Sequence, residues 1–134
     1  MALEETLSII KPDAIERNLI GSIISLIEKN GLKVMEVRML QLSRDNAEEF
    51  YSIHKDRPFF KSLVDYMTSN KIVALKLKGD NAVNAYRDLM GATDPEDAKP
   101  ETIRKLFAES KERNSVHGSD SIENAKKEIE FFFK

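Results

Sequence analysis

Cysteine and tryptophan are absent from the 134 residues of this chain, and no long apolar run occurs in it. Without cysteine there can be no disulfide, no thiolate metal ligand and no cysteine nucleophile. The apolar stretches fall far short of the roughly 20 residues that span a bilayer. Neither sign of charge is in excess, because 21 basic residues oppose 23 acidic ones. We therefore expect neither a membrane protein nor a dedicated nucleic-acid binder.

What is present is typical of one compact domain, which we expect to cover residues 1–134. Hydrophobic residues make up 41% of the chain and charged residues 33%, a balance that disfavours intrinsic disorder. The first residues contain no basic stretch followed by an apolar one, so we expect no secretory signal and a cytoplasmic location.

Glycine is scarce, and its positions exclude the usual phosphate-binding loops. The five glycines are far apart, so neither the Walker A pattern nor the dinucleotide fingerprint is present. The HExxH zinc pattern and the GxSxG nucleophile elbow are missing as well. If the protein handles phosphate, side chains must do most of the binding.

Hydrophobic periodicity predicts strands and helices built on one sheet, and it leaves open whether that sheet is parallel. Strands are predicted at 6–10, 32–42, 72–77 and, briefly, 115–117. Alternation in the second predicts that Met35, Val37 and Met39 form its buried face. One long helix is predicted after Pro12. Further helices are predicted to start at Ser43, near residue 60, at Asp80, near residue 103 and at Asp120, the last with Glu123 as a capping box.

His117 is the strongest candidate for chemistry, although its local composition alone favours an ordinary histidine at the edge of the core. A neutral imidazole can attack phosphorus and hold it covalently. Gly118 beside it would let a bulky group approach the ring. Glu128, otherwise a solvated helix residue, can accept the other imidazole N–H, and Ser119 is a possible further partner.

Cationic and aromatic candidates come from separate segments, and each has an unremarkable alternative. Surface charge is the simplest interpretation of Lys11, Arg87 and Arg104, but with Thr93 they would suit a clamp around phosphates. Packing is the simplest role for the aromatic candidates. The functional alternative for Phe59 is stacking on a base. For Tyr51 and His54 it is contact with a phosphate.

Three sequence blocks, in register with Lys11 and Arg104, closely resemble the nucleoside diphosphate kinase family. They are NSVHGSD at 114–120, RPFF at 57–60 and MGATDP at 90–95. The resemblance runs from TLSIIKPD at 6–13 to the phenylalanines at 131–133. It implies an α+β, ferredoxin-like fold with a four-stranded antiparallel sheet covered by helices.

The same resemblance implies a ping-pong reaction in which a nucleoside triphosphate phosphorylates His117 and a nucleoside diphosphate collects the phosphate, with little base specificity. It implies attack by Nδ1, with Glu128 holding the other ring nitrogen and Tyr51 supporting the site. The remaining implied roles are sugar contact for Lys11 and Asn114, charge stabilisation for Lys11, phosphate binding for Arg87, Thr93, Arg104 and His54, and base stacking for Phe59.

Magnesium is implied as a companion of the nucleotide, held by phosphate oxygens and not by a protein cage. A homo-oligomer, tetramer or hexamer, is also implied. Lys111 departs from the family pattern, which has an aliphatic residue facing the base, although its methylene stem can still pack there.

Two other function classes remain open at this point. An RNA- or protein-binding module is suggested by fold analogy alone. A metal-dependent hydrolase would need a ligand cluster, and Asp94, Glu96 and Asp97 crowd one loop without a histidine nearby.

Overall fold

A computed structural model describes residues 3–133 as a four-stranded antiparallel sheet with helices on both faces. The strand order is β2-β3-β1-β4. The two central strands, β3 and β1, are neighbours in the sheet but are not consecutive in the chain. The antiparallel arrangement that the resemblance implied is confirmed, which resolves the question that periodicity left open. The strands are β1 (Leu3–Ile10), β2 (Lys33–Leu40), β3 (Ile72–Asp80) and β4 (Val116–Gly118).

The helices connect these strands, and the predicted long helix after Pro12 is divided in two. Asn18, with φ of 60°, interrupts it in the left-handed conformation that ends regular helix. Across residues 3–133, no helix is both long enough and apolar enough to cross a membrane. The helices are α1 (Pro12–Glu16), α2 (Ile20–Lys29), α3 (Arg44–Phe50), α4 (Phe60–Met67), α5 (Ala82–Met90), α6 (Ile103–Phe107) and α7 (Ile122–Phe132), with 3₁₀ turns at Ser52–His54 and Pro95–Asp97.

Strict alternation along the central strands builds two cores, one on each face of the sheet. Leu7 and Ile9 of β1 point into the core beneath α3, α4 and α7. Ile10 of β1 points the other way, into the core beneath α2 and α5. Each fully buried aliphatic side chain contributes roughly 1.5–3 kcal/mol of transfer free energy. The predicted site strand, β4, pairs with β1 at Ser8–Ile10, where β1 is buried on both faces.

The predicted buried face of β2 is wrong. Met35, Val37 and Met39 are 43%, 56% and 50% exposed. The strand lies at the sheet edge, and its register with β3 shifts between Val34 and Glu36. Alternation correctly indicated a strand, but it reveals neither a position at the sheet edge nor a shift in register.

Both predicted acidic helix starts are wrong by one residue. Asp80 still pairs within the sheet, opposite Leu3, and Asn81 becomes the N-cap with φ of 49°. At α7 the Oγ of Ser121 accepts the Asn124 backbone N–H at 3.0 Å. The predicted cap at Ser43 is confirmed, since its Oγ accepts the Asn46 N–H at 3.1 Å.

Candidate active site

His117 lies in the middle of β4, opposite Ile9 of β1, and its ring is held by α7. The Nε2 and the Glu128 Oε1 are 2.9 Å apart, and both side chains are 21% exposed. The Ser119 hydroxyl donates to the same carboxylate oxygen at 2.7 Å. Because a carboxylate only accepts, Nε2 is the donor in this bond, and in the neutral ring Nδ1 then keeps its lone pair.

Two aromatic side chains of the α3 end enclose this pair. The ring of Phe50 meets the His117 ring edge to face, with centroids 5.7 Å apart. Tyr51 is buried, and its hydroxyl has no hydrogen-bond partner among the described residues. Burial, and to a lesser degree the nearby charge of Glu128, raise the pKa of Tyr51 above its ordinary value. The phenol therefore stays protonated, as a donor close to the His117–Glu128 pair.

Lys11 and Asn114 meet beside β4. The Lys11 ammonium donates to the Asn114 Oδ1 at 2.9 Å, and the Lys11 backbone N–H donates to the Ser115 carbonyl at 2.8 Å. Burial, followed by the charge of Arg104, lowers the pKa of Lys11 to about 8, against an opposing effect of Asp13. A lysine with this pKa titrates close to neutral pH, which is unusual for a surface charge.

Arg104 is buried, so its interpretation as an ordinary surface charge is wrong. Its Nη1 donates to the Gly91 carbonyl at 3.0 Å and its Nη2 to the Val116 carbonyl at 2.9 Å. Burial lowers its pKa, and Arg87 adds to that effect, so these two cations lie near one another. The guanidinium thus ties the end of α5 to the residue that precedes His117.

The loop after α5 is closed by a tight contact at Gly91. Its φ is +86°, and a Cβ there would lie 2.6 Å from the Thr102 hydroxyl oxygen. The loop returns to the site through the Asn114 Nδ2, which donates to the Thr93 carbonyl at 3.3 Å. The Thr93 contact is therefore made by backbone, and the residue itself is exposed.

His54 and Phe59 lie side by side between α3 and α4. Their ring centroids are 5.5 Å apart, and Phe59 is 47% exposed. A half-exposed phenyl ring leaves a face on which another planar group can stack. His54, three residues beyond Tyr51, connects this aromatic pair to the segment beside His117.

The sequence suggested that Gly118 leaves room for a bulky group beside the His117 ring, but the structure shows that space to be filled. A Cβ at Gly118 would lie 2.7 Å from the Met90 Cε and 2.7 Å from the Tyr86 Cδ2. The space that a side chain at Gly118 would occupy is thus filled by residues of α5, which packs directly on β4. The glycine is required for helix–sheet packing at the site.

Gly118→Ala is expected to lower the free energy of unfolding by about 1–3 kcal/mol, because the added methyl overpacks this contact. Gly21→Ala is the matched control, since a Cβ at Gly21 in α2 would meet no other described residue within 4 Å. That control should be neutral or stabilising, as alanine is the better helix former. Urea unfolding of both variants measures the difference, and equal effects would contradict the packing explanation.

Sequence reasoning missed two residues that organise this site. Ser115 has a φ of 71°, and Asp13 is fully buried among its hydrogen-bond partners. Neither residue type nor spacing signals such a role, because an aspartate in a first helical turn is common for other reasons.

Residues 4–134 match the sequence profile described as nucleoside diphosphate kinase. The chain is 60% identical over 131 residues to a nucleoside diphosphate kinase of Nitratiruptor sp., covering 98% of this chain and 96% of the relative. It is 62% identical, with the same coverage, to one from Wolinella succinogenes.

Solved structures agree in fold. The nucleoside diphosphate kinase of Aquifex aeolicus superposes with a TM-score of 0.97 at 40% identity, covering 99% of this chain and 96% of that one. A halophilic nucleoside diphosphate kinase from Halobacterium salinarum, solved in complex with CDP, has a TM-score of 0.95 at 38% identity. That match covers 99% of this chain and 89% of the other.

Proposed function

This chain belongs to the nucleoside diphosphate kinase family and is an enzyme of that activity, and we propose that it works through a phosphohistidine at His117. In the first half-reaction the Nδ1 lone pair attacks the γ-phosphorus of a nucleoside triphosphate. A P–N bond forms while the P–O bond to the diphosphate breaks. In the second, a terminal oxygen of another nucleoside diphosphate attacks, and the P–N bond breaks. The whole chain, 1–134, would act as one domain.

The observation that carries this proposal is the hydrogen bond between the Nε2 of His117 and Glu128. Glu128 Oε1 accepts a hydrogen bond from the Nε2–H of His117 at 2.9 Å, and the Ser119 hydroxyl donates to the same oxygen at 2.7 Å. This arrangement supports one tautomer, with its unprotonated nitrogen directed away from α7. A nucleophile oriented by a hydrogen-bonded partner is the usual arrangement for covalent catalysis.

Positive charge around β4 would neutralise the charge of the phosphoryl group during transfer. Phosphoryl transfer depends on positioning and on charge neutralisation. Lys11, half-buried beside Asn114, would stabilise charge on the transferred group, and both side chains would contact the sugar hydroxyls. The other proposed contacts to phosphate come from Arg87, Thr93, Arg104 and His54, and Tyr51 would support the histidine.

The exposed ring of Phe59 would stack on the nucleotide base. Stacking on an aromatic side chain contributes about 1–3 kcal/mol and is nearly indifferent to which base is bound. Because stacking contacts no base edge, we propose low base specificity. Lys111, exposed in the loop before β4, is the proposed opposite wall of this slot.

Magnesium would enter as part of the substrate. Among residues 3–133 no three His, Asp or Glu side chains are grouped so as to hold a metal ion. Its ligands would be the nucleotide's own phosphate oxygens, where the ion offsets their charge. The chain's side chains would then bind the complex, and none would be a permanent ligand.

The exposed side of the edge strand β2 bears on the oligomeric state of the protein. Met35, Val37 and Met39 give the edge strand β2 an apolar, exposed side, which supports a homo-oligomer. We propose a tetramer or hexamer in the cytoplasm. Light scattering after size-exclusion chromatography measures the mass directly, and a monomer at micromolar concentration would contradict this part.

Incubation with γ-³²P-labelled ATP and magnesium tests the mechanism. We expect the protein to acquire a label that is acid-labile and base-stable, as a phosphoramidate is. Addition of unlabelled GDP or CDP should then discharge the label into the corresponding triphosphate. An acid-stable label, or one that no diphosphate removes, would contradict the proposed intermediate.

A further inference from the structure

Asp13 is a buried carboxylate that joins three elements of the fold beside the site. Its Oδ1 accepts the Ser115 backbone N–H at 3.2 Å and also the Tyr66 hydroxyl. Its Oδ2 accepts the Ser115 hydroxyl at 2.9 Å and the Arg17 Nη2 at 3.0 Å. None of these contacts involves the imidazole, so the mechanism does not use Asp13 directly. The carboxylate nevertheless accepts hydrogen bonds from both donors of one residue in the site loop, the backbone N–H and the hydroxyl of Ser115.

That residue, Ser115, is held in an unusual conformation. Its φ of 71° lies in the left-handed region, which non-glycine residues seldom occupy without compensating contacts. Two hydrogen bonds to Asp13 supply that compensation. The turn directs the Ser115 carbonyl to the Lys11 N–H at 2.8 Å, and it separates Asn114 from the strand that carries His117.

We propose that Asp13 is a positioning residue for phosphoryl transfer, fixing the left-handed turn at Ser115 and thereby holding Asn114 and Lys11 beside His117. The inference rests on the function proposed above. It assigns no contact between Asp13 and the nucleotide. Its effect passes through the turn and through the start of α1, since Lys11 is the N-cap of that helix.

Asp13 also acts on Lys11 by its charge. Three groups face the ammonium, namely Arg104 from α6, Asp13 from α1 and the Asn114 amide from the loop before β4. Burial and Arg104 lower the pKa of Lys11, whereas Asp13 raises it. Removal of the Asp13 charge should therefore shift the titration of Lys11 to lower pH, an effect that a purely structural role would not produce.

Asp13→Asn is the primary test, because asparagine keeps the size and one acceptor but loses the charge. We expect the full-length variant to phosphorylate with MgATP at least about tenfold more slowly in single-turnover experiments, as misplaced catalytic groups commonly cost this much or more. The alkaline limb of its kcat/KM profile should move to lower pH. ATP and GDP are the substrates, and circular dichroism checks the fold.

Tyr66→Phe and Ser115→Ala are the companion variants. Tyr66→Phe removes one hydrogen bond to Asp13 but retains both bonds to Ser115 and the charge, so its alkaline limb should stay in place. Ser115→Ala removes the hydroxyl bond and retains the charge, so it should slow phosphorylation without moving the limb. It also provides the kinetic test if Asp13→Asn does not fold.

Wild-type labelling separates the two proposals. If wild-type protein forms no phosphohistidine, the proposed function fails. If it does, the positioning role is overturned by Asp13→Asn that phosphorylates at the wild-type rate with an unmoved alkaline limb. Should Asp13→Asn not fold, Ser115→Ala with wild-type single-turnover kinetics overturns it.

Discussion

His117→Ala is expected to abolish the phosphoenzyme and to lower kcat for transfer between ATP and GDP by at least about 10³-fold, as loss of a covalent nucleophile commonly does. The methyl group of alanine has no lone pair with which to form the P–N bond. The Glu128 carboxylate would lose its imidazole partner but keep the Ser119 hydroxyl at 2.7 Å. A coupled assay of triphosphate formation and acid-quenched labelling measure both effects.

His54→Ala is the matched control, because the chain contains only two histidines. That variant should retain the label, since its ring packs against Phe59 at 5.5 Å and not against the Glu128 pair. Its KM for nucleotide is expected to rise if the ring contacts a phosphate. Label that persists in His117→Ala would show that another side chain accepts the phosphate.

Lys11→Gln is expected to lower kcat/KM at pH 7 by about 10²-fold, the usual range for loss of one preorganised charge contact. The wild-type profile should fall as pH rises through about 8, because the ammonium is charged below that pKa and neutral above it. The kcat/KM profile reports groups of the free enzyme, so the unliganded pKa is the relevant one. Lys11→Gln should lack this alkaline decline.

Lys29→Gln provides the control for that experiment. Lys29 is exposed in the last turn of α2. Its loss should leave both the rate at pH 7 and the decline near pH 8 as they are in the wild type. An alkaline limb that survives unchanged in Lys11→Gln would mean that a different group titrates.

The sequence predicted the elements of this fold where periodicity is local and failed where burial depends on distant partners. The strand around β2 was predicted correctly, yet Met35 is exposed at a register shift on the sheet edge, and alternation does not encode such a shift. The caps at Asp80 and Asp120 were misplaced because the preceding strand or turn continued one residue further. The break at Asn18 had no glycine or proline to mark it.

For the site too, some residues could be predicted from the sequence and others could not. Residue chemistry raised His117 and Glu128 as candidates and the resemblance assigned them as a pair. Their side chains are in contact, with Nε2 and Oε1 2.9 Å apart. Burial of Arg104 was not foreseeable, because an arginine in an amphipathic helix is usually solvated. The role of Ser115 depends on a backbone angle and on a carboxylate more than 100 positions away in sequence, a relation that only three-dimensional structure reveals.

The carbonyls that hold Arg104 have a consequence for the alternation between two half-reactions. With Gly91 and Val116 anchoring both terminal nitrogens, this cation has no need to swing toward an incoming nucleotide or to relax once it departs. Donor and acceptor then encounter the same arrangement of charge, so neither half-reaction requires this cation to be repositioned. A stationary guanidinium of this kind suits a catalyst that must run equally well in both directions.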